Sequence, residues 1–148
     1  MSVVDDLYHP RVLELAADIP HVGRLDAPNG SSTRVSRVCG SVVTVDLVVR
    51  DGVIAAIGVE PKACALGQAS AAVLAQNAVG ATADEVSAAR YALFAMLKTG
   101  GAPPAGRFWE LRHLEGVRFY PQRHASVMLA FDAAVDALAQ ARAPVGAR

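Results

Sequence analysis

Val43, Val45, Leu47 and Val49 fall on one side of an extended chain, with Thr44, Asp46 and Val48 on the other. That period of two predicts a strand with one apolar face. Asp51-Gly52 follows it, a pair that accepts the positive φ angles of a tight hairpin turn. Residues 53–59 then return as a second strand, with Ile57 and Val59 directed to the core. A further strand is expected over 33–38, ahead of the hairpin. Beyond residue 60 the rhythm turns helical. An alanine-rich helix is predicted over 67–79, and Thr82-Ala-Asp-Glu85 is a capping box that opens another, running to about Lys98. Gly100-Gly101 ends that helix.

Residues 102–106 read as a loop, 108–114 as a short helix stopped by Gly116, and 125–141 as a long helix. The long helix sets Val127, Met128 or Leu129, Phe131, Val135 and Leu138 on one broad face. At the front, 7–17 is a helix with Pro10 tolerated in its first turn, and 19–32 is a loop by its Pro, Gly, Asn and Ser content. No strand follows the hairpin, and the missing strand–helix alternation argues against a doubly wound sheet. The expected class is α+β, a three-stranded antiparallel meander covered by helices. Residues 1–142 are expected to form one domain, and 143–148 a flexible tail.

Composition narrows the setting. The chain has 148 residues, 53% hydrophobic and 19% charged, enough to bury a real core. Its formal net charge is zero, which lends no support to a nucleic-acid or anionic-membrane partner. Met1 to Asp6 lacks the basic and apolar regions of a secretory signal. The longest uncharged stretch, 63–83, is too polar for a membrane span. A cytoplasmic setting follows as the expectation, in which thiols stay reduced and a Cys39–Cys64 disulfide is disfavoured.

The two cysteines then become the candidate chemistry. Cys64 stands just before an apolar helix, where N–H groups and the helix dipole favour a thiolate, and Lys62 pushes the same way. Cys39 closes the first predicted strand, and Gly40 lets the backbone approach a bound ion. Each alone reads equally well as a small packing residue; together, at one end of a hairpin, they suggest metal or sulfur chemistry. Two thiols fall short of the four ligands of a closed tetrahedral site. His124, which opens the last helix, is a candidate third ligand, although an exposed histidine is the commoner outcome there. Ser41 and Ser126 are weak ligands because hydroxyls keep their protons at neutral pH. His9, His21 and His113 show no pairing by spacing. Asp132 and Asp136 share a helical face that solvation explains, and Phe108, Trp109, Phe119 and Tyr120 read as cover for the core.

The order of these elements resembles the iron–sulfur cluster assembly scaffold proteins of the NifU/IscU/SufU type, the SufU branch more than the IscU branch. The matching stretches are Leu7-Tyr8, His21-Val22-Gly23, Cys39-Gly40-Ser41 against the family's Cys-Gly-Asp, and Cys64-Ala-Leu-Gly-Gln-Ala-Ser-Ala-Ala. Leu114-Glu-Gly-Val-Arg-Phe-Tyr-Pro-Gln-Arg-His-Ala-Ser126 matches the SufU-branch motif that ends in a third cysteine. The likeness spans roughly residues 6 to 140. It departs from the pattern at two ligand positions, where Ser41 replaces the aspartate and Ser126 the cysteine. The Pro-Pro-Val-Lys chaperone-docking motif is also absent.

The resemblance implies a scaffold or sulfur acceptor rather than an enzyme. It would hold iron, zinc or a [2Fe–2S] cluster through Cys39 and Cys64, served by a cysteine desulfurase. Three ways to meet the ligand deficit stay open: two chains bridging one cluster as a homodimer, His124 joining the cysteines, or a vestigial site. A degenerate, non-metal partner of the assembly machinery is the alternative. A thiol enzyme with Cys64 as nucleophile and His124 as base is a third reading.

Overall fold

The computed structural model describes residues 7–142; the expectations for the N-terminal six residues and the 143–148 tail lie outside them. Helix α1 (Pro10–Ala17) is followed by strands β1 (Gly30–Val35), β2 (Val42–Arg50) and β3 (Val53–Lys62). Helices α2 (Ala65–Asn77) and α3 (Ala83–Thr99) come next, then two runs of 3₁₀ turns, Gly106–Phe119 and Pro121–Arg123, and finally α4 (His124–Arg142). The strands form one antiparallel sheet in the order β1-β2-β3. This is the expected α+β meander.

The hairpin forms where the period-two pattern places it. Arg50 pairs with Val53 across Asp51 and Gly52, whose φ angles are 53° and 79°. Val43, Val45, Leu47, Ile57 and Val59 are buried. Across the sheet, the Ser32 hydroxyl and the Arg34 guanidinium donate to Asp136 of α4, and the Ser31 N–H donates to Gln140. The last helix therefore lies along β1 and β2, clamped by polar contacts at its rim. Asp132 and Asp136 belong to this clamp: Asp132 accepts from Arg90 of α3 at 2.6 Å. Neither is a merely solvated carboxylate.

The other side of the sheet is covered too, by the loop before β1. His21 and Gly23 bond the backbone of Val59 at 3.0 and 2.9 Å, and a Cβ on Gly58 would sit 2.5 Å from the Gly23 carbonyl oxygen. Only glycine lets that loop approach so closely. Beneath it Asp46 is wholly buried, taking hydrogen bonds from Arg24, Ser31 and the Leu25 N–H. Burial alone would push its carboxyl up, but these donors outweigh that and hold it below the ordinary carboxylate range.

Several boundaries differ from expectation, β3 running on to Lys62 among them. Pro10 is the first residue of α1, with His9 as its N-cap, so the helix starts three residues late. β1 occupies 30–35 rather than 33–38, because residues 36–41 close a tight loop of their own. α2 starts at Ala65, two residues early. The 108–114 segment is not a helix ended by Gly116 but part of a 3₁₀ run through to Phe119. Phe108, Leu111, Leu114 and Val117 are all buried, a spacing of three that matches three residues per 3₁₀ turn. By contrast the capping box is as expected. Glu85 N–H donates to Thr82 Oγ1 at 3.1 Å, Thr82 N–H to Glu85 Oε1 at 3.0 Å, and Gly100 ends α3 with φ 70°.

α2 is buried on most sides, and it packs on both α1 and α4. Phe108 meets Phe131 edge to face, and joins the same core. Trp109 and Phe119 instead lie exposed, correcting their reading as core cover. Among the described residues no helix is long and apolar enough to cross a membrane.

Candidate functional site

Cys39 sits at the tip of the loop joining β1 to β2. The loop is closed by Ser36 N–H to Ser41 carbonyl and by Gly40 N–H to Ser36 carbonyl, both 2.8 Å, and Gly40 takes φ 74°. The closure turns Cys39 outward and Ser41 inward, so Cys39 is exposed while Ser41 is buried. Cys64 is the N-cap residue of α2 and is half-buried. Its position at the end of β3 brings it to the same end of the sheet as the 36–41 loop, since Val42 pairs with Lys62.

Ser126, on the first turn of α4, connects the two. Cys39 Sγ donates to Ser41 Oγ at 3.1 Å, Ser41 Oγ lies 3.4 Å from Ser126 Oγ, and Ser126 Oγ lies 3.4 Å from Cys64 Sγ. Two sulfurs and two hydroxyls thus form one chain of contacts drawn from three separate segments. α2 and α4 can approach this closely because residue 67 is glycine. A Cβ there would lie 2.7 Å from Ser126 Oγ and 2.8 Å from the Ala63 methyl. The same helix pair is pinned by the buried Ser70 hydroxyl, which donates to the Val127 carbonyl at 2.7 Å.

Both thiols are poised toward the thiolate. Cys39 is lowered to about 7, first by the Ser36 hydroxyl and then by Ser41, against a smaller opposing effect of burial. For Cys64 burial is the largest influence and pushes upward. The Ser126 hydroxyl, the Gly67 and Leu66 N–H groups at the start of α2 and the Arg123 side chain together outweigh it, and the thiol ends below its ordinary value. Ser36 Oγ is itself buried without a hydrogen-bond partner in the thiol form, so it is free to donate when Cys39 ionises. Both cysteines are free.

His124 does not join them. It is buried, not exposed, and its Nε2 lies 3.0 Å from the Val117 carbonyl and 3.2 Å from that of Arg118. Two carbonyls fix the proton on Nε2, and burial, then Lys98, hold the ring below its ordinary pKa and neutral. The ring ties the end of the 3₁₀ run to the start of α4, and it has no hydrogen bond to Cys64, as a thiol–imidazole pair would need. Among the described residues no three His, Cys, Asp or Glu side chains gather closely enough for one metal ion.

Sequence spacing also gave no sign of the His9–His113 pair. These rings stack at 4.8 Å, with His113 Nε2 3.7 Å from Glu110 and Glu110 held by Arg11. The meeting joins α1 to the 3₁₀ run, a long-range contact that neither local pattern encodes.

The donor set at the mouth is therefore two soft thiolates and two hydroxyls. The thiolates suit iron, zinc or sulfane sulfur. The hydroxyls keep their protons and serve as hydrogen-bond donors to anionic sulfur.

The fold is shared with known proteins. The chain superposes on a crystal structure of a nitrogen-fixing NifU-like protein, N-terminal part, from Brucella abortus, with a TM-score of 0.93 and 49% identity, covering 95% of this chain and 97% of that one. A scaffold protein described for iron–sulfur cluster assembly in the SUF system of Fervidobacterium islandicum AW-1 shares the fold, with a TM-score of 0.82 at 19% identity, over 90% of this chain and 98% of that one. No curated protein matches the chain. The family model for the NifU-like N terminal domain matches residues 7–105, which span the meander and both cysteines, and the chain belongs to that family.

Proposed function

We propose that the chain is an iron–sulfur cluster assembly scaffold and sulfur acceptor that works through Cys39 and Cys64, with the cluster or its iron as cargo. The observation that carries this is the pair of thiols, both lowered in pKa, connected across Ser41 and Ser126 at one end of the sheet. Membership of the NifU-like N-terminal family supports the same reading.

The donor set fits a cluster held between chains better than one held by a single chain. One copy supplies two thiolates, and four are needed for a [2Fe–2S] cluster. Two copies meeting mouth to mouth would supply them, with the exposed Cys39 of each outermost. Zinc or a single iron would meet the same deficit of ligands. The expected sulfur donor is a cysteine desulfurase, whose persulfide can reach the exposed Cys39 first.

Isolation without oxygen, with iron, zinc and acid-labile sulfide measured against protein, tests the reading. Iron with matching sulfide is expected in the parent, at about half a cluster per chain if two copies share one. Cys39→Ser and Cys64→Ser are each expected to lose it. Equal metal in the parent and both variants would overturn the proposal. The absence of a third ligand among the described residues favours one rival, a degenerate family member that binds the assembly machinery without metal. Desulfurase capture that survives replacement of both cysteines, with no metal in any preparation, would favour that rival.

A further inference from the structure

We infer that this chain also releases sulfide: a sulfane sulfur carried on Cys39 is expelled as HS⁻ when Cys64 attacks, leaving a Cys39–Cys64 disulfide. The inference rests on the acceptor reading above but adds a redox activity to it.

The argument starts from what lies between the sulfurs. Ser41 and Ser126 are both buried, and their hydroxyls bridge Cys39 and Cys64 through contacts of 3.1, 3.4 and 3.4 Å in sequence. A hydroxyl there contributes little to holding iron, yet it donates to anionic sulfur and to a sulfide leaving group. Ser36 adds a third buried hydroxyl, without a partner of its own, in the loop that carries Cys39. The mouth is thus lined by three donors arranged around two sulfurs.

The two cysteines differ in a way that gives the reaction a direction. Cys39 is exposed at a loop tip whose backbone turns at Gly40, and its neighbour Val38 is exposed as well. An incoming donor meets Cys39 first. Cys64 is half-buried at the fixed N-terminus of α2, held by the close packing of Gly67 against Ser126. It lies inward of Cys39, joined to it across the Ser41 and Ser126 hydroxyls.

The steps balance without an outside reductant. A low-molecular-weight persulfide gives its outer sulfur to the Cys39 thiolate and leaves as a thiol, so Cys39 becomes a persulfide. The Cys64 thiolate then attacks Cys39 Sγ. The bond between that Sγ and the outer sulfur breaks, its electron pair departs with the outer sulfur as HS⁻, and the Cys39–Cys64 bond forms. The sulfane sulfur is reduced by two electrons, and the two cysteine sulfurs are oxidised by two. A dithiol reductant must reopen the disulfide before a second turnover.

The test treats the full reduced, metal-free chain with one equivalent of glutathione persulfide, removes small molecules, and reads intact mass and released sulfide. The parent is expected to release one sulfide per chain and to lose about 2 Da, whereas Cys64→Ser and Cys64→Ala are each expected to keep a gain of about 32 Da and release none. A parent that keeps the added sulfur as a persulfide, like the variants, would overturn the release step and leave the acceptor reading intact. Disulfides between chains rather than within one would overturn it as well. Failure of every chain, Cys64 variants included, to take up sulfur would overturn the acceptor reading and the release step together. Two Cys64 variants with unchanged helical circular dichroism guard against a folding defect.

Discussion

Two polar clusters lie under the surface of this small domain, and they are built on opposite lines. At Asp46 one carboxylate, wholly buried, accepts from a guanidinium, a hydroxyl and a backbone N–H, and each of those donors is well placed. At the mouth two thiols and two hydroxyls touch at 3.1 to 3.4 Å, and Ser36 Oγ beside them has no partner. The first cluster is saturated, so nothing is left for a ligand. The second has weak donors to spare and one exposed sulfur. Buried polar groups that serve the fold are normally satisfied, and those that are not require another explanation. The contrast separates a structural device from a candidate site within one chain of 148 residues.

The largest expected effect lies on the structural side. Asp46→Ala removes the acceptor for Arg24, Ser31 and the Leu25 N–H, and should cost about 3 kcal/mol in urea unfolding at pH 7. Because the folded carboxyl is held below its ordinary range, its contribution is present above the unfolded pKa and is lost as pH falls through the folded one. The gap between parent and variant should therefore close below about pH 4. Ser41→Ala, at the mouth, should cost no more than about 1 kcal/mol. If Ser41→Ala were as damaging as Asp46→Ala, the mouth would be a structural cluster too, and the comparison would break.

Gly67→Ala comes next. A helix interior ordinarily gains from alanine, but here the new methyl meets Ser126 Oγ at 2.7 Å and the Ala63 methyl at 2.8 Å. The clash should outweigh the propensity and cost about 2 kcal/mol. Ser126→Gly in the same chain should recover part of it, because one of the two clashing atoms is gone. A thermal melt of the three variants decides this. No recovery in the double variant would mean that Ala63 and the α4 backbone, not the site hydroxyl, set the helix spacing.

These sites also show what the chain made legible in one dimension. The hairpin and the α3 capping box are local, with every partner within a few residues, and both are where the pattern puts them. The 3₁₀ run was legible in principle, since Phe108, Leu111, Leu114 and Val117 repeat every third residue. A search for periods of two and 3.6 passes over a period of three. Asp46 was read as the polar side of a strand because its cover, residues 18–29, looks like an unattached loop until Gly58 lets it in. Ser41 and Ser126, 85 residues apart, meet only once α4 crosses the sheet. Resemblance to a family marked them as ligand positions; no local rule marks them as neighbours. His124 was placed near the cysteines by sequence, whereas in the fold the Val117 and Arg118 carbonyls hold its Nε2 and it does not gather with them.

That ring yields a smaller effect with a definite sign. Burial lowers the folded pKa of His124 below its ordinary 6.5. Between the two values the unfolded chain binds a proton that the folded chain refuses, so stability falls as pH drops below about 6.5. His124→Asn should flatten the slope of unfolding free energy below about pH 6.5 while lowering stability by about 1 kcal/mol for the lost carbonyl contacts. An unchanged slope would assign the acid sensitivity to another group, His113 being the other histidine held low by burial.

The finest test concerns Cys39 alone and costs the fold little. In a Cys64→Ser chain, alkylation by iodoacetamide reports the Cys39 thiolate, and its rate should reach half-maximum near a pH of about 7. Removing a hydroxyl that donates to the thiolate disfavours the charged form, so the midpoint should rise. Ser36→Ala should raise it most, Ser41→Ala less and Ser126→Ala least, following the strength of each hydroxyl's action on the sulfur. The Ser36 result is the sharpest, because that hydroxyl has no other buried partner to satisfy. A midpoint at the free-thiol value of about 8.5, unmoved by all three variants, would show the serines to be bystanders. Cys39 would then be an ordinary surface thiol, and the mouth would no longer differ in kind from the saturated cluster at Asp46.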